Sequence, residues 1–560
     1  MKKKILACAV ALCLVLAVIP AFADGGEVTD AQGFKEALEA GGDVVLGDSF
    51  EIDSKLGITI TKPVTLDLKG NTVTETYGGQ NNFIITIKEG GSLTINDSVG
   101  EGAIIAEHSS YGYGIQLYSG ATFILNGGTI ETTQESIDIY DSSKNVKVEI
   151  NGGKVISSDD NVLGIRGSEN VAVDIKGGEL VSSGRTAMYV SSYQENAITV
   201  NISGGSLIQT AEGGMSGAIQ AYKGATINVS GTASISSASS YGIQVQENVA
   251  LNVSGGSIST SSRSEAITAG EQGKVTVTGG EITSANNSAI SAEDNASVTV
   301  SGGKLTGKEG RDAIEKEDDA SIQVTGGSFS SDVSEYVPED LTVETDGEGN
   351  FVVYVEVTFS DNDSTTDNDT VVKVAVGGKI DATKAPAFEK TGYTLKGWAT
   401  ADGTAWDMEN GVVSENITLI PVWELNAPEV SLKADKTSVQ EGESITLTAE
   451  ASHASASATF VYAWYKDGAL IEGQTGASLS VTQSGSYLVK VSAADGEFTS
   501  AQTESEAVSC TVAPAEEPDN PDIDDPDDGG DVSLAALSFG MIAAIAGLAA
   551  VVICFKRKRA

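Results

Sequence analysis

Through residues 45–335, apolar and polar side chains alternate in short runs, each closed by Gly-Gly and followed by another apolar residue. Val148-Glu149-Ile150-Asn151-Gly152-Gly153-Lys154-Val155 and Val173-Asp174-Ile175-Lys176-Gly177-Gly178-Glu179-Leu180 show the pattern, and 253–258, 277–282 and 300–305 repeat it. The first glycines stand at 127, 152, 177, 204, 231, 255, 279, 302 and 326, with Thr232 replacing one second glycine. The motif therefore returns every 23 to 27 residues. A small residue followed by Ile and a polar residue interleaves with it, at Gly114-Ile115, Ser136-Ile137, Gly164-Ile165, Ala218-Ile219, Gly242-Ile243, Ala266-Ile267, Ala289-Ile290 and Ala313-Ile314. Alternation of this kind predicts strands, and the Gly, Asn, Ser and Asp between them predict turns. Two such short strands per unit cannot bury an apolar face alone, whereas stacked units share one continuous core. Ahead of the repeats, Asp30 predicts the cap of a helix through Phe34, Ala37 and Leu38 that stops at Gly41-Gly42. Residues 24–44 would then close the open end of the stack, where bare strand edges invite aggregation.

The repeat resembles the right-handed parallel β-helix of pectate-lyase-like proteins, above all the surface-protein versions whose coils carry V-x-V-x-G-G-x-I. That resemblance implies a β-helix over 45–335. Further on stand Tyr354-Val355-Glu356-Val357-Thr358-Phe359, Gly392-Tyr393-Thr394-Leu395-Lys396-Gly397-Trp398, Trp406-Asp407 and Ile417-Thr418-Leu419-Ile420-Pro421-Val422-Trp423. This order resembles the internalin-type B-repeat, also called the Listeria–Bacteroides repeat, and implies a small β-rich module over 350–424. Ser360-Asp361-Asn362-Asp363 replaces the family's usual Asn-Gly-Gly turn. The resemblance implies a spacer or weak binding role in a bacterial surface protein, with Trp398, Trp406 and Trp423 in the module's core. Residues 427–513, with Trp464 in Tyr462-Ala463-Trp464-Tyr465 and with Tyr487 in Gly485-Ser486-Tyr487-Leu488-Val489, resemble an immunoglobulin-like seven-strand sandwich. Ala449 and Val489 take the places of that family's two cysteines. The expected fold class is mainly β: a right-handed parallel β-helix, the B-repeat module, an Ig-like β-sandwich and a C-terminal transmembrane helix.

The ends point to the cell surface. Residues 1–23 read as a signal peptide, with Lys2–Lys4, an apolar run and Ala21-Phe22-Ala23. Residues 514–532 form an acidic Pro/Asp linker. Residues 533–555 carry no charge and are long enough to span a bilayer, and the basic tail 556–560 marks the cytoplasmic side. No Leu-Pro-x-Thr-Gly stands in the linker, so sortase attachment is not expected. The expectation is a single-pass protein, exported to the surface of a Gram-positive bacterium. Composition adds one exclusion. A formal net charge of −44 repels nucleic acid, so no nucleic-acid partner is expected. Cys510 stands alone between signal and span, which excludes an intrachain disulfide there, and only His108 and His453 are available as imidazoles.

For chemistry, the residues after each small-Ile pair predict an outward column of Gln116, Asp138, Arg166, Tyr189, Gln220, Gln244, Thr268, Ser291 and Glu315. Tyr118, Tyr140 and Tyr222 follow two positions later. Tyrosine combines an apolar ring with a polar tip, which suits sugar rings. Tyr118, Tyr140, Tyr189, Tyr222, Gln220 and Gln244 are therefore the candidate ligand-binding residues. Asp138 beside Arg166 is the one acid–base pair in the column, with no second carboxylate expected to join it, so no catalytic residue is assigned. Asp159-Asp160 and Glu317-Asp318-Asp319 lack an ordered spacing for Ca²⁺, and no metal or other cofactor is expected. Two functions follow. One is a non-catalytic adhesin or display protein binding an extracellular glycan or the surface protein of a host or neighbouring cell. The other is a membrane-tethered polysaccharide lyase or glycoside hydrolase acting on the coil face.

Overall fold

The computed structural model describes residues 26–77, 83–106, 112–194, 197–362 and 368–515. The expected signal, nearly all of the linker, the 533–555 span, the basic tail and His108 lie outside the described residues. No helix among the described residues is long and apolar enough to cross a membrane. The chain divides into two compact units at Asn426/Ala427.

In the first unit the repeats stack as a parallel β-helix. Each coil lays three strands, such as Ile137–Ile139, Lys144–Ile150 and Lys154–Ser157, on Leu163–Arg166, Glu169–Ile175 and Glu179–Ser182 of the next. The small-Ile segment supplies one of them, so a coil has three strands where two are expected. Most of its copies are only three or four residues long, too short for alternation to register. From Ala250 onward the strands flanking Gly-Gly merge into single bent ones, as in Ala250–Thr260 and Lys274–Ser284, with the register slipping at the glycines. The corner requires glycine for two reasons. Gly178 sits at φ 78, and a Cβ there would stand 2.7 Å from the carbonyl oxygen of Gly153 one coil back.

Inward Ile, Val and Leu form one core running from Phe34 to Val353. The end cap forms as expected: Asp30 Oδ1 accepts from the Gly33 amide at 2.9 Å, the helix runs Ala31–Ala40, and Gly41 closes it at φ 85. Phe34 and Leu38 are fully buried against the first coil, whose opening strand Gly42–Val45 already starts within the expected cap. At the other end, Ser321–Phe329 pairs antiparallel with Phe351–Phe359, so the sheet runs on into the B-repeat module.

There, Phe351–Phe359 pairs with Thr370–Ala375 and Ile417–Leu425, and Tyr393–Thr400 pairs with Ile417–Leu425. Trp398 packs edge-on to Phe359 at 4.6 Å in the core. Trp406 is half-buried beside it, and Trp423 is half-buried but outside that cluster. Among its described residues the second unit is a two-sheet sandwich of ten strands, three in one sheet and seven in the other, where seven in all are expected. Trp464 is fully buried with its indole N–H donating to Gly476 O at 2.9 Å, and Tyr487 Oη donates to Gln483 O at 2.9 Å. Ala449 and Val489 are buried in that core.

Candidate functional site

The 11-stranded sheet from Ile58–Ile60 to Ile314–Lys316 presents the outward columns. In a strand such as Ile219–Ala221 or Ile243–Val245 the first and third side chains are fully buried. The middle side chain and the one after the strand therefore point outward, and parallel pairing stacks them at about 4.8 Å from coil to coil. The register aligns Gln116, Asp138, Gly164, Tyr189, Gln220, Gln244, Thr268, Ser291 and Glu315. Arg166 is not in that column. Leu163, not Ile165, pairs with Ile137, so Arg166 stands two positions further on, opposite Ser191.

Gly164 leaves a gap in the column, and charged side chains fill it. A Cβ there would lie 1.7 Å from Glu135 Oε1. Arg166 Nη1 donates both to Glu135 Oε2 at 2.9 Å and to Asp138 Oδ1 at 3.3 Å. Gln116 Nε2 donates to the other Asp138 oxygen at 2.8 Å. A second carboxyl therefore does join Asp138, against the expectation from sequence. Burial pushes the Glu135 carboxyl up to about 7, although Arg166 pulls it down. Burial also raises Asp138, with Gln116 and Arg166 opposing. Chemically this is a carboxyl that holds a proton near neutrality beside a second carboxyl, under a guanidinium. Both acids are buried, Glu135 at 5% exposure and Asp138 at 7%.

The six expected binding residues fall into two groups. Tyr118 and Tyr140 stack face to face at 4.4 Å, and Lys88 Nζ covers Tyr118 at 3.4 Å from the ring centroid. Their ring faces are thus largely used within the ladder, and Tyr140 is the more open at 45% exposure. Arg166 lies over Tyr189 at 5.3 Å, and Tyr189 tilts against Tyr222 at 5.8 Å. Tyr222 Oη donates to Gln244 Oε1 at 3.4 Å, and Gln220 Nε2 donates to Tyr241 Oη. Burial pushes the Tyr241 phenol up to about 12. Gln220, Tyr222 and Gln244 line an open groove of about 1010 Å³, walled by residues 213–216 and 261–264.

Glu135, Tyr241 and Arg263 were not among the expected site residues. Glu135 and Tyr241 each stand two positions before an inward Ile, at 137 and 243, so the alternation carried back would send both inward and could not have found them. Arg263 lies in a turn, where alternation carries no signal. Asp160, one of the acids weighed for Ca²⁺, instead faces Arg185 at 3.6 Å.

Residues 356–421 match the model of the Listeria–Bacteroides repeat domain. No curated protein matches the chain. Among solved structures, the fibronectin(III)-like modules of Clostridium thermocellum CbhA align at 17% identity, over 35% of this chain and 90% of theirs. Their TM-score of 0.13 is too low to bear on the fold. A β-solenoid joined to a surface-type repeat domain is compatible with an adhesin-like or display protein.

Proposed function

We propose that this chain is a surface-displayed, non-catalytic binding protein that takes an extracellular glycan on the outward face of its β-helix. The observation that carries this reading is the groove over Gln220, Tyr222 and Gln244, three of the six residues expected to bind. Amides and phenols spaced by the coil repeat suit a polyhydroxylated ligand, which needs many neutral hydrogen-bond partners and some apolar ring surface. A signal peptide at 1–23 and a span at 533–555 would hold the head outside the cell, with the B-repeat module and the sandwich as spacers. Tyr118 and Tyr140 would contribute chiefly through ring edges and hydroxyls.

The test is a glycan and surface-protein binding screen of the full chain. The double variant Tyr222→Ala with Gln244→Ala should lose at least about tenfold in affinity for a saccharide that binds, with an unchanged melting temperature. Unchanged binding would remove the groove from the reading. A second reading, glycan cleavage, is favoured by the Glu135–Asp138 pair, since paired carboxyls with one held protonated are what glycoside hydrolysis uses. Both acids are sealed beneath Arg166, which argues for a structural clamp. Saccharide depolymerisation that disappears in Asp138→Asn would replace binding by catalysis.

A further inference from the structure

Resting on the glycan reading of the groove, we infer that its ligand is a saccharide carrying a single, isolated oxyanion, a carboxylate or a sulfate, anchored by Arg263. The chain as a whole bears a formal charge of −44, yet among the described residues no Asp or Glu lines the groove. Among those residues the one charged side chain there is Arg263. Arg166 and Arg185 are committed to Glu135, Asp138 and Asp160, whereas Arg263 is exposed and forms no ion pair among the described residues. A planar fork of donors left unpaired in a pocket cleared of carboxylates is suited to a planar or tetrahedral oxyanion. Polar groups around it are also ready for the sugar. Ser239 Oγ, in the groove wall, is buried and has no hydrogen-bond partner among the described residues, and the lining residue Asn286 donates to Ser261 O, which leaves its Oδ1 to accept.

The surroundings limit the ligand to one charge. One coil beyond Tyr241 stands Glu265, turned onto Asn287, and Glu293, Glu315 and Glu317 follow on the same face. On the other side, Glu247 and Glu271 approach Tyr222. A polyanion lying along the coils would meet these carboxylates, and like charges brought together repel. A chain with one anionic residue would place it on the guanidinium and keep neutral sugar elsewhere. The groove therefore selects for one oxyanion and against many.

The experiment compares matched neutral, singly carboxylated, singly sulfated and fully carboxylated forms of the same oligosaccharides on the full chain. Singly charged forms should bind at least about tenfold tighter than neutral ones, the scale of a charge-assisted hydrogen bond. Fully carboxylated chains should gain nothing over neutral ones. Arg263→Gln should erase the tenfold difference with the melting temperature unchanged, and Arg263→Lys should restore part of it. The carboxylated and sulfated arms tell which oxyanion is used. Equal binding of neutral and charged forms, or an unaffected preference in Arg263→Gln, overturns the oxyanion while leaving the glycan reading standing. A folded chain that binds no saccharide in any form overturns both.

Discussion

Glu135 shows how a single side chain can govern the pH response of this fold. Its carboxyl is buried beneath Arg166 and held at about 7, against an ordinary value of 4.5. An acid whose pKa is raised by folding stabilises the native state fully below the unfolded value. That contribution is lost as pH rises from about 4.5 through 7, because only the unfolded chain releases the proton freely. The amount is on the order of 3 kcal/mol. Glu149 works in the opposite sense, since Lys176 and Lys147 hold it down to about 2, and its stabilisation fades as pH falls below the ordinary range. Urea midpoints measured from pH 4.5 to 8 should therefore decline, and Glu135→Gln should flatten that decline. Parallel curves for the two proteins would contradict the buried protonated carboxyl. Asp138 beside Arg166 was legible in the sequence, whereas Glu135 was hidden, because the Gly164-Ile165 signal points to the wrong register. The true register follows Leu163, and Gly164 opens the space in which the two acids and Arg166 meet.

Among the elements, the three-residue strands of the outward sheet carry the sharpest contrast. Ile243 is fully buried between Ile219 and Ile267, whereas its neighbour Gln244 reaches the groove. Ile243→Asp should unfold the coil stack, since it puts an unpaired charge in a dry core, while Gln244→Ala should stay within about half a kcal/mol in stability. Circular dichroism melts of the two variants decide it, and equal sensitivity would break the register. On another face, Asn228 takes a side-chain amide bond from Asn252 at 2.9 Å and gives one to Asn201 at 2.8 Å. This ladder exists only because parallel coils place identical residues on top of one another. Asn201, Asn228 and Asn252 precede Gly-Gly or Gly-Thr at one offset, so the residues were legible. Their mutual bonding was not, because it depends on the stacking register.

At the scale of the molecule, the second unit has its own core around Trp464, Tyr487 and Val489 and separates from the first at Ala427. Residues 427–515 expressed alone should therefore unfold in one cooperative urea transition, and a broad, non-cooperative loss of tryptophan signal would refute their autonomy. The B-repeat module differs: its strand Phe351–Phe359 adds to the last coil, so its removal should expose that coil's edge. By itself the sequence determined the β-helix, the helical cap, the match at 356–421 and the boundary at 427. These follow from alternation, glycine spacing and motif order, which are local and repeat along the chain. Only the tertiary structure decided that Arg166 leaves the column for a buried pair of acids, that Tyr118 and Tyr140 spend their faces on each other, and that Arg263 stands in a groove without carboxylates. Each of those depends on which residue of one coil lands on which residue of the next. A shift of two positions preserves the alternation that the sequence displays while changing every neighbour a side chain meets.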